Sequence, residues 1–252
     1  MNEVKKCNQC PRKCNVDRGK GVGFCGAGNK VVISLAHLHK WEEPCISGAN
    51  GSGTIFFSGC NLKCCYCQNY DISTSIVGKE YTTQELVTLF KELEEMGATN
   101  INLVTPTHFV SELIKAFEIY KPKIPIVYNT SGYEDVQTLK LIDKYIDIYL
   151  VDYKYYDNDL AKKLSNVSNY REVATKAIEF MCNSKKDVFD GEIMKSGVII
   201  RHLILPNHIY NTKQVLNDIA LKFSGRLVSL MSQYLPMYKA KDMKDLSRKI
   251  NK

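Results

Sequence analysis

Four cysteines fall within eight positions of the stretch SGCNLKCCYCQNY, residues 58–70. Cys60, Cys64 and Cys67 have the spacing C-x3-C-x2-C, with Tyr66 directly before the last. Three thiolates offered from one tight loop can hold three irons of a [4Fe-4S] cube and leave the fourth without a protein ligand. An open metal position admits a substrate or cofactor, so the arrangement is that of a reactive site rather than a structural one. Zinc is the competing reading, but it prefers four ligands in two separated pairs, and no histidine lies near this loop. Cys65 would have to bind beside Cys64 as a strained adjacent pair. It is therefore read as a packed, non-ligating thiol.

A second set lies at the front, in CNQCPRKCNVDRGKGVGFCGAG, where Cys7, Cys10, Cys14 and Cys25 are separated by turn-forming glycines. Four thiolates so close together can close a tetrahedral all-cysteine site, which suits structural zinc. The same set could hold a second [4Fe-4S] cluster or a single iron. Zinc is placed first, because a closed site has no catalytic opening. Cys45 and Cys182 have no partners at metal spacing and read as packed thiols.

Nine of the ten cysteines precede residue 68, so a metal-rich front is expected to join a conventional body. The division predicted is a cysteine-rich segment at 1–50, a catalytic body at 51–238 and a charged, helical tail at 239–252. A chain of 252 residues, 44% hydrophobic and 24% charged, has the composition of a globular domain with a sizeable core. No apolar run approaches the roughly 20 residues that cross a bilayer, and the start has no apolar signal core. A cytoplasmic protein with no membrane partner is expected, and clustered thiols in a reducing compartment serve metal more often than disulfides. The net charge of +7 is spread over many lysines without an arginine-rich or aromatic-interleaved patch, which argues against nucleic acid.

These thiols must be carried by something. TIFFSG, INLVT, IPIVYN, IDIYLVD, GVIIRHLIL and RLVSLMSQY read as six strands alternating with helices. Thr82 and Glu85 form a capping box for a helix carrying Leu86, Leu89, Phe90, Leu93 and Met96 at helical spacing before Gly97. Thr212 is expected to cap the helix before the last strand. Such alternation implies a parallel α/β sheet, as an open barrel or a doubly wound sheet.

Polar residues gather at the strands' C-terminal ends: Ser58, Thr105 with Thr107 and His108, Asn129 with Ser131, Asp152 with Lys154, Arg201 with His202, and Gln233 with Tyr234. Ligands of parallel α/β folds bind at that edge. His108 and His202 are read either as groups beside the reacting centre or as structural histidines, and no side chain is assigned to hydrogen transfer.

The loop after the first strand, together with EEPCISGANGSGTIFFSGCNLKCCYCQN, VTPTHF, YNTSGYE, VDYKYYD, IIRHLILP and SQYLP, resembles the radical SAM proteins related to pyruvate formate-lyase activating enzyme. The resemblance implies a partial (β/α)6 TIM-like barrel and a [4Fe-4S] cluster on Cys60, Cys64 and Cys67. It further implies that S-adenosylmethionine chelates the open iron and is cleaved reductively to a 5'-deoxyadenosyl radical, which removes a hydrogen atom from a protein or peptide. Tyr66 would face the adenine. The backbone at Thr105 would take the methionine amino group, Asn129 and Ser131 the ribose or methionine, Asp152 and Lys154 the hydroxyls and carboxylate, and Arg201 the carboxylate. An electron donor such as flavodoxin or ferredoxin is implied as a partner. A metal-binding interaction module that kept the fold without catalysis is the alternative, and RNA or a small molecule stay open as substrates. Two departures stand out: Thr105-Pro106-Thr107-His108 replaces a common Gly-Gly-Glu-Pro stretch, and the family usually has more chain beyond the sixth strand.

Overall fold

A computed structural model describes residues 6–250. Among these residues nine strands form one mixed sheet: β1 (Val31–His39), β2 (Ser52–Phe57), β3 (Lys79–Tyr81), β4 (Ile101–Val104), β5 (Ile126–Thr130), β6 (Ile148–Asp152), β7 (Val188–Asp190), β8 (Ile193–Leu203) and β9 (Leu227–Met231). The order is β3-β1-β2-β4-β5-β6-β8-β7, with β9 also paired to β8. From β2 through β4, β5, β6, β8 and β9 every pairing is parallel. These are the six strands read from the sequence. The antiparallel additions β1, β3 and β7 were not anticipated. The sheet does not close, and the fold is a partial barrel.

Among the described residues eight helices join the strands: α1 (Pro44–Ser47), α2 (Tyr70–Thr74), α3 (Thr83–Glu95), α4 (Val110–Ile119), α5 (Val136–Ile142), α6 (Asn158–Ser165), α7 (Tyr170–Ser184) and α8 (Ile209–Lys222). The capping box of α3 forms as expected, with the Thr82 hydroxyl accepting from the Glu85 N–H and Glu85 accepting from Thr82. Thr212 does not cap α8. His208 holds that position, and Thr212 is buried inside the helix, where its hydroxyl meets His202. The tail is not an α-helix over its described part. A 3₁₀ turn at Tyr238–Asp242 ends in turns anchored by the Ala240 N–H on the Cys65 carbonyl and the Tyr234 hydroxyl on the Leu246 carbonyl. Residues 251 and 252 lie outside the described residues.

The strand alternation divides the apolar residues in two. Residues such as Leu103, Tyr128, Tyr149, Val151 and Ile200 face the helices and build the main core. Their neighbours Val127, Ile148, Leu150 and Ile199 form a separate cluster with Ile46 of α1 and Met194. Successive strand side chains point to opposite faces, so the second cluster lines the barrel interior. Two residues further along β5, β6 and β8 that same inner face carries Asn129, Asp152 and Arg201. The barrel is filled with hydrocarbon at one end and polar at the other.

Candidate active site

A cleft of about 680 Å³ occupies the polar end. It is lined by Cys60, Cys64 and Cys67, and by Tyr66, Thr105, Asn129, Ser131, Asp152, Lys154 and Arg201. Every residue that the sequence reading assigned to the barrel's cofactor and metal site therefore reaches one space. His108, His202 and Cys65 are not among the residues lining it.

The cysteine loop leaves β2 at Gly59, whose φ of +88° lies in the left-handed region. A Cβ there would sit 2.6 Å from the Cys25 carbonyl oxygen, so only glycine lets the front segment pass this closely. Lys63, also left-handed at φ +51°, turns the chain between Cys60 and Cys64. The Leu62 N–H points at Cys60 Sγ at 3.4 Å. Ser165 Oγ lies 2.8 Å from Cys64 Sγ and continues through the Tyr155 and Tyr66 hydroxyls, each link 2.6 Å. Burial pushes the Cys64 thiol up to about 12, while neighbouring Lys154 favours its thiolate. Cys65 turns elsewhere: its N–H bonds the Leu164 carbonyl, and it packs half-buried against the tail side of the core.

Opposite the loop, Asp152 and Arg201 are register partners on β6 and β8. Arg201 Nε is 2.8 Å from Asp152 Oδ1, and Lys154 Nζ is 2.6 Å from Oδ2. Arg201 also donates to Asn129 Oδ1 at 2.8 Å and to Glu42 Oε1 at 3.0 Å. Glu42 Oε2 accepts from Asn102 at 2.9 Å and Asn129 at 3.2 Å. Burial works against the Asp152 charge, but Arg201 and Lys154 outweigh it and hold the carboxyl below the usual range. The same ion pairs raise Lys154 and Arg201 against burial. All three groups stay charged across the ordinary pH range.

Glu42 was missed by the sequence reading. It stands in the connection between β1 and β2, at the opposite end of the strands, and reaches the interior beneath Arg201. An acidic pair ahead of Pro44 was visible, but nothing local says that a strand hairpin folds it under the barrel.

Two further features mark the strand ends. Thr105 has φ +58°, costly for a β-branched residue and found where strain serves a site. Ser131 Oγ is buried without a partner. The Tyr170 hydroxyl accepts the Lys154 N–H and faces the Ser131 and Asp152 carbonyls, tying β5 to β6. A Cβ at Gly132 would strike the Asp152 carbonyl at 2.5 Å, so glycine lets those two ends meet.

The residues fit a cluster better than a single ion. Among the described residues no three His, Cys, Asp or Glu side chains converge tightly enough to hold one metal ion. Cys60 and Cys67 nonetheless stand close enough to Cys64 to oppose its ionisation. Two fixed cations, a carboxylate and an unpartnered hydroxyl across the cleft suit a zwitterionic cofactor with sugar hydroxyls.

The two histidines differ. His202 is engaged at both ring nitrogens, by the Tyr153 carbonyl region at 2.7 Å and Thr212 at 3.0 Å, and serves the packing of α8. His108 Nε2 lies 2.8 Å from the Ser58 carbonyl and its ring turns away from the cleft. Cys7, Cys10, Cys14 and Cys25 line a second, small cavity on that far side.

Residues 54–215 match the radical SAM superfamily. Over 259 aligned residues the chain is 32% identical to an uncharacterized protein of Methanocaldococcus jannaschii, covering 99% of this chain and 72% of that one. It is 25% identical over 195 residues to the pyruvate formate-lyase-activating enzyme of Clostridium pasteurianum, covering 74% and 75% of the two chains. The crystal structure of methylornithine synthase superposes with a TM-score of 0.51 at 20% identity, over 74% of this chain and 54% of that one. The chain thus spans about half the length of that solved structure, and the likeness is one of fold.

Proposed function

Because the chain belongs to the radical SAM superfamily, whose enzymes use a [4Fe-4S] cluster and S-adenosylmethionine, we propose that it cleaves S-adenosylmethionine and abstracts a hydrogen atom from a protein or peptide. The observation that carries this reading is the single cleft in which the three spaced thiols meet the polar ends of the parallel strands.

When bound, the cluster and S-adenosylmethionine supply a one-electron reductive cleavage that yields methionine and the 5'-deoxyadenosyl radical. Cys60, Cys64 and Cys67 hold the cluster. Lys154 and Arg201, fixed by Asp152 and Glu42, present positive charge to the cofactor carboxylate without reorganising. Asp152 and the free Ser131 hydroxyl take the sugar, and the Tyr66 ring packs the base. Beneath Asn129 and Arg201 the interior holds the Glu42 carboxylate, with the apolar cluster of Val127, Leu150 and Ile199 beside it.

A macromolecular substrate is favoured by two observations. One relative is by name an enzyme that activates another enzyme. The cleft also opens along β9, whose Ser229, Leu230 and Met231 line it with Gln233 just beyond, and whose outer edge has no strand partner among the described residues. An extended peptide can add to such an edge. An electron donor such as flavodoxin or ferredoxin would supply the reducing electron.

The test is 5'-deoxyadenosine formation by anaerobically reconstituted protein under reduction, with and without candidate peptides. Product that rises with a peptide supports the reading. Product no higher than that of the Cys60→Ala variant overturns it and leaves a metal-binding interaction module.

A further inference from the structure

The front cysteines can be weighed against their surroundings. Cys7, Cys10, Cys14 and Cys25 line one small closed cavity together with Arg18, Gly23 and His108. The loop is preformed around it: the Cys7 N–H bonds the Val16 carbonyl, the Asn15 N–H bonds the Cys7 carbonyl, and Lys13 and Asn15 both take left-handed conformations. Cys14 and Cys25 both pack against Gly23, their sulfurs 3.3 and 3.8 Å from where its Cβ would stand.

Two features separate the possible occupants. A zinc ion binds sulfur at about 2.3 Å, which in a tetrahedron brings the four sulfurs to about 3.8 Å from one another. No such convergence exists here, since no three metal-binding side chains among the described residues meet at single-ion range. A cubane, with one thiolate on each of four irons, holds its cysteines farther apart. The second feature is an excess of donors. Arg18 Nε and Nη2 are buried with no hydrogen-bond partner. Two orphaned N–H donors are costly to leave unpaired. A cubane brings four inorganic sulfides, acceptors that a lone ion lacks, and the Phe24 N–H already points at Cys14 Sγ at 3.4 Å.

We propose that Cys7, Cys10, Cys14 and Cys25 bind a second [4Fe-4S] cluster, fully ligated by protein, with Arg18 donating hydrogen bonds to its sulfides. The two cluster sites then stand back to back. The Cys25 carbonyl abuts Gly59, His108 spans from the front cavity to Ser58, and Arg12 donates to the Asn61 carbonyl from within the front loop.

The test counts iron and does not depend on cofactor cleavage, so it stands or falls apart from the function above. The triple variant Cys60→Ala, Cys64→Ala, Cys67→Ala, reconstituted anaerobically with iron and sulfide, is expected to retain about four irons and four sulfides, against about eight of each in the wild type. Its reduced electron paramagnetic resonance signal is expected to ignore S-adenosylmethionine. One zinc and no iron, or no metal at all, would overturn the proposal. The complementary variant Cys7→Ser, Cys25→Ser is expected to lose half the iron and keep the S-adenosylmethionine-sensitive signal; full iron retention would equally overturn it. Arg18→Met is expected to lower the midpoint potential of the insensitive signal, and an unchanged potential would remove Arg18 from the site.

Discussion

The two sets of thiols sit on opposite sides of one short wall, Ser58 to Cys60 with His108, and differ in what else reaches them. The barrel loop offers three thiols to a wide cleft in which Lys154, Arg201, Asp152 and Ser131 are arranged across the space. The front loop offers four to a closed cavity in which Arg18 presents buried, unpartnered N–H donors. The contrast teaches that the number of thiols alone does not make a site reactive. A missing ligand does so only where charges stand ready for the group that replaces it.

The contrast breaks most sharply with the barrel thiols. Replacing Cys60, Cys64 or Cys67 by Ala is expected to abolish both the S-adenosylmethionine-sensitive resonance signal and 5'-deoxyadenosine formation, whereas Cys65→Ala should retain both. Equal loss from Cys65→Ala would refute the three-ligand assignment.

The next largest effect is on cofactor affinity. A hydrogen bond to a charged group contributes about 1.5–3 kcal/mol, so Lys154→Met and Asp152→Asn should each weaken S-adenosylmethionine binding roughly ten- to a hundred-fold, read by titrating the reduced cluster signal. The two should part in stability. Lys154→Met leaves Asp152 paired with Arg201, whereas Asp152→Asn leaves Lys154 without a carboxylate and Arg201 with Glu42 alone, and breaking such a buried pair costs about 3–5 kcal/mol. Equal melting temperatures would show that the network is held mainly by Glu42.

A smaller effect lies in the wall of the barrel. Glu134 is buried and accepts from Thr107, Thr130 and Tyr128, joining the ends of β4 and β5. Burial pushes its carboxyl up to about 7 from 4.5, against those hydrogen bonds. The unfolded chain therefore releases this proton near pH 4.5 while the folded protein keeps it until about pH 7, so its contribution to stability falls as pH rises through that window. Glu134→Gln should abolish about 2–4 kcal/mol of that decline, measured as the difference between variant and wild-type unfolding at pH 4.5 and pH 8. Parallel curves would place the proton elsewhere.

The smallest expected effect belongs to neither site. Thr82→Ala removes the α3 cap and should cost about 1 kcal/mol while leaving iron content and cofactor affinity intact. A change in either would show that the two metal regions respond to stability in general.

The six parallel strands and the α3 cap were legible because each depends on neighbours in sequence: apolar runs between turns, and a Thr three residues before a Glu. The same logic grouped the thiols that line each of the two cavities, because their spacing is itself local. It failed where partners are remote. Thr212 has the residue type of a cap, yet it is drawn into the helix interior by His202, ten positions away. Val31–His39 passed unread as a strand because its partners, Ser52–Phe57 and Lys79–Tyr81, come later in the chain.

By itself the sequence determined which residues could hold iron and which strand ends could face a ligand, since spacing and alternation are properties of a short stretch of backbone. Only the tertiary structure decided that Glu42 reaches Arg201 across 159 positions, that Asp152 meets two cations, and that Arg18 turns its donors toward the front thiols rather than the cleft. These depend on strand register and on the path of the β1–β2 connection. Burial then makes each pairing decisive, because a charge or donor removed from water must find its partner within the fold.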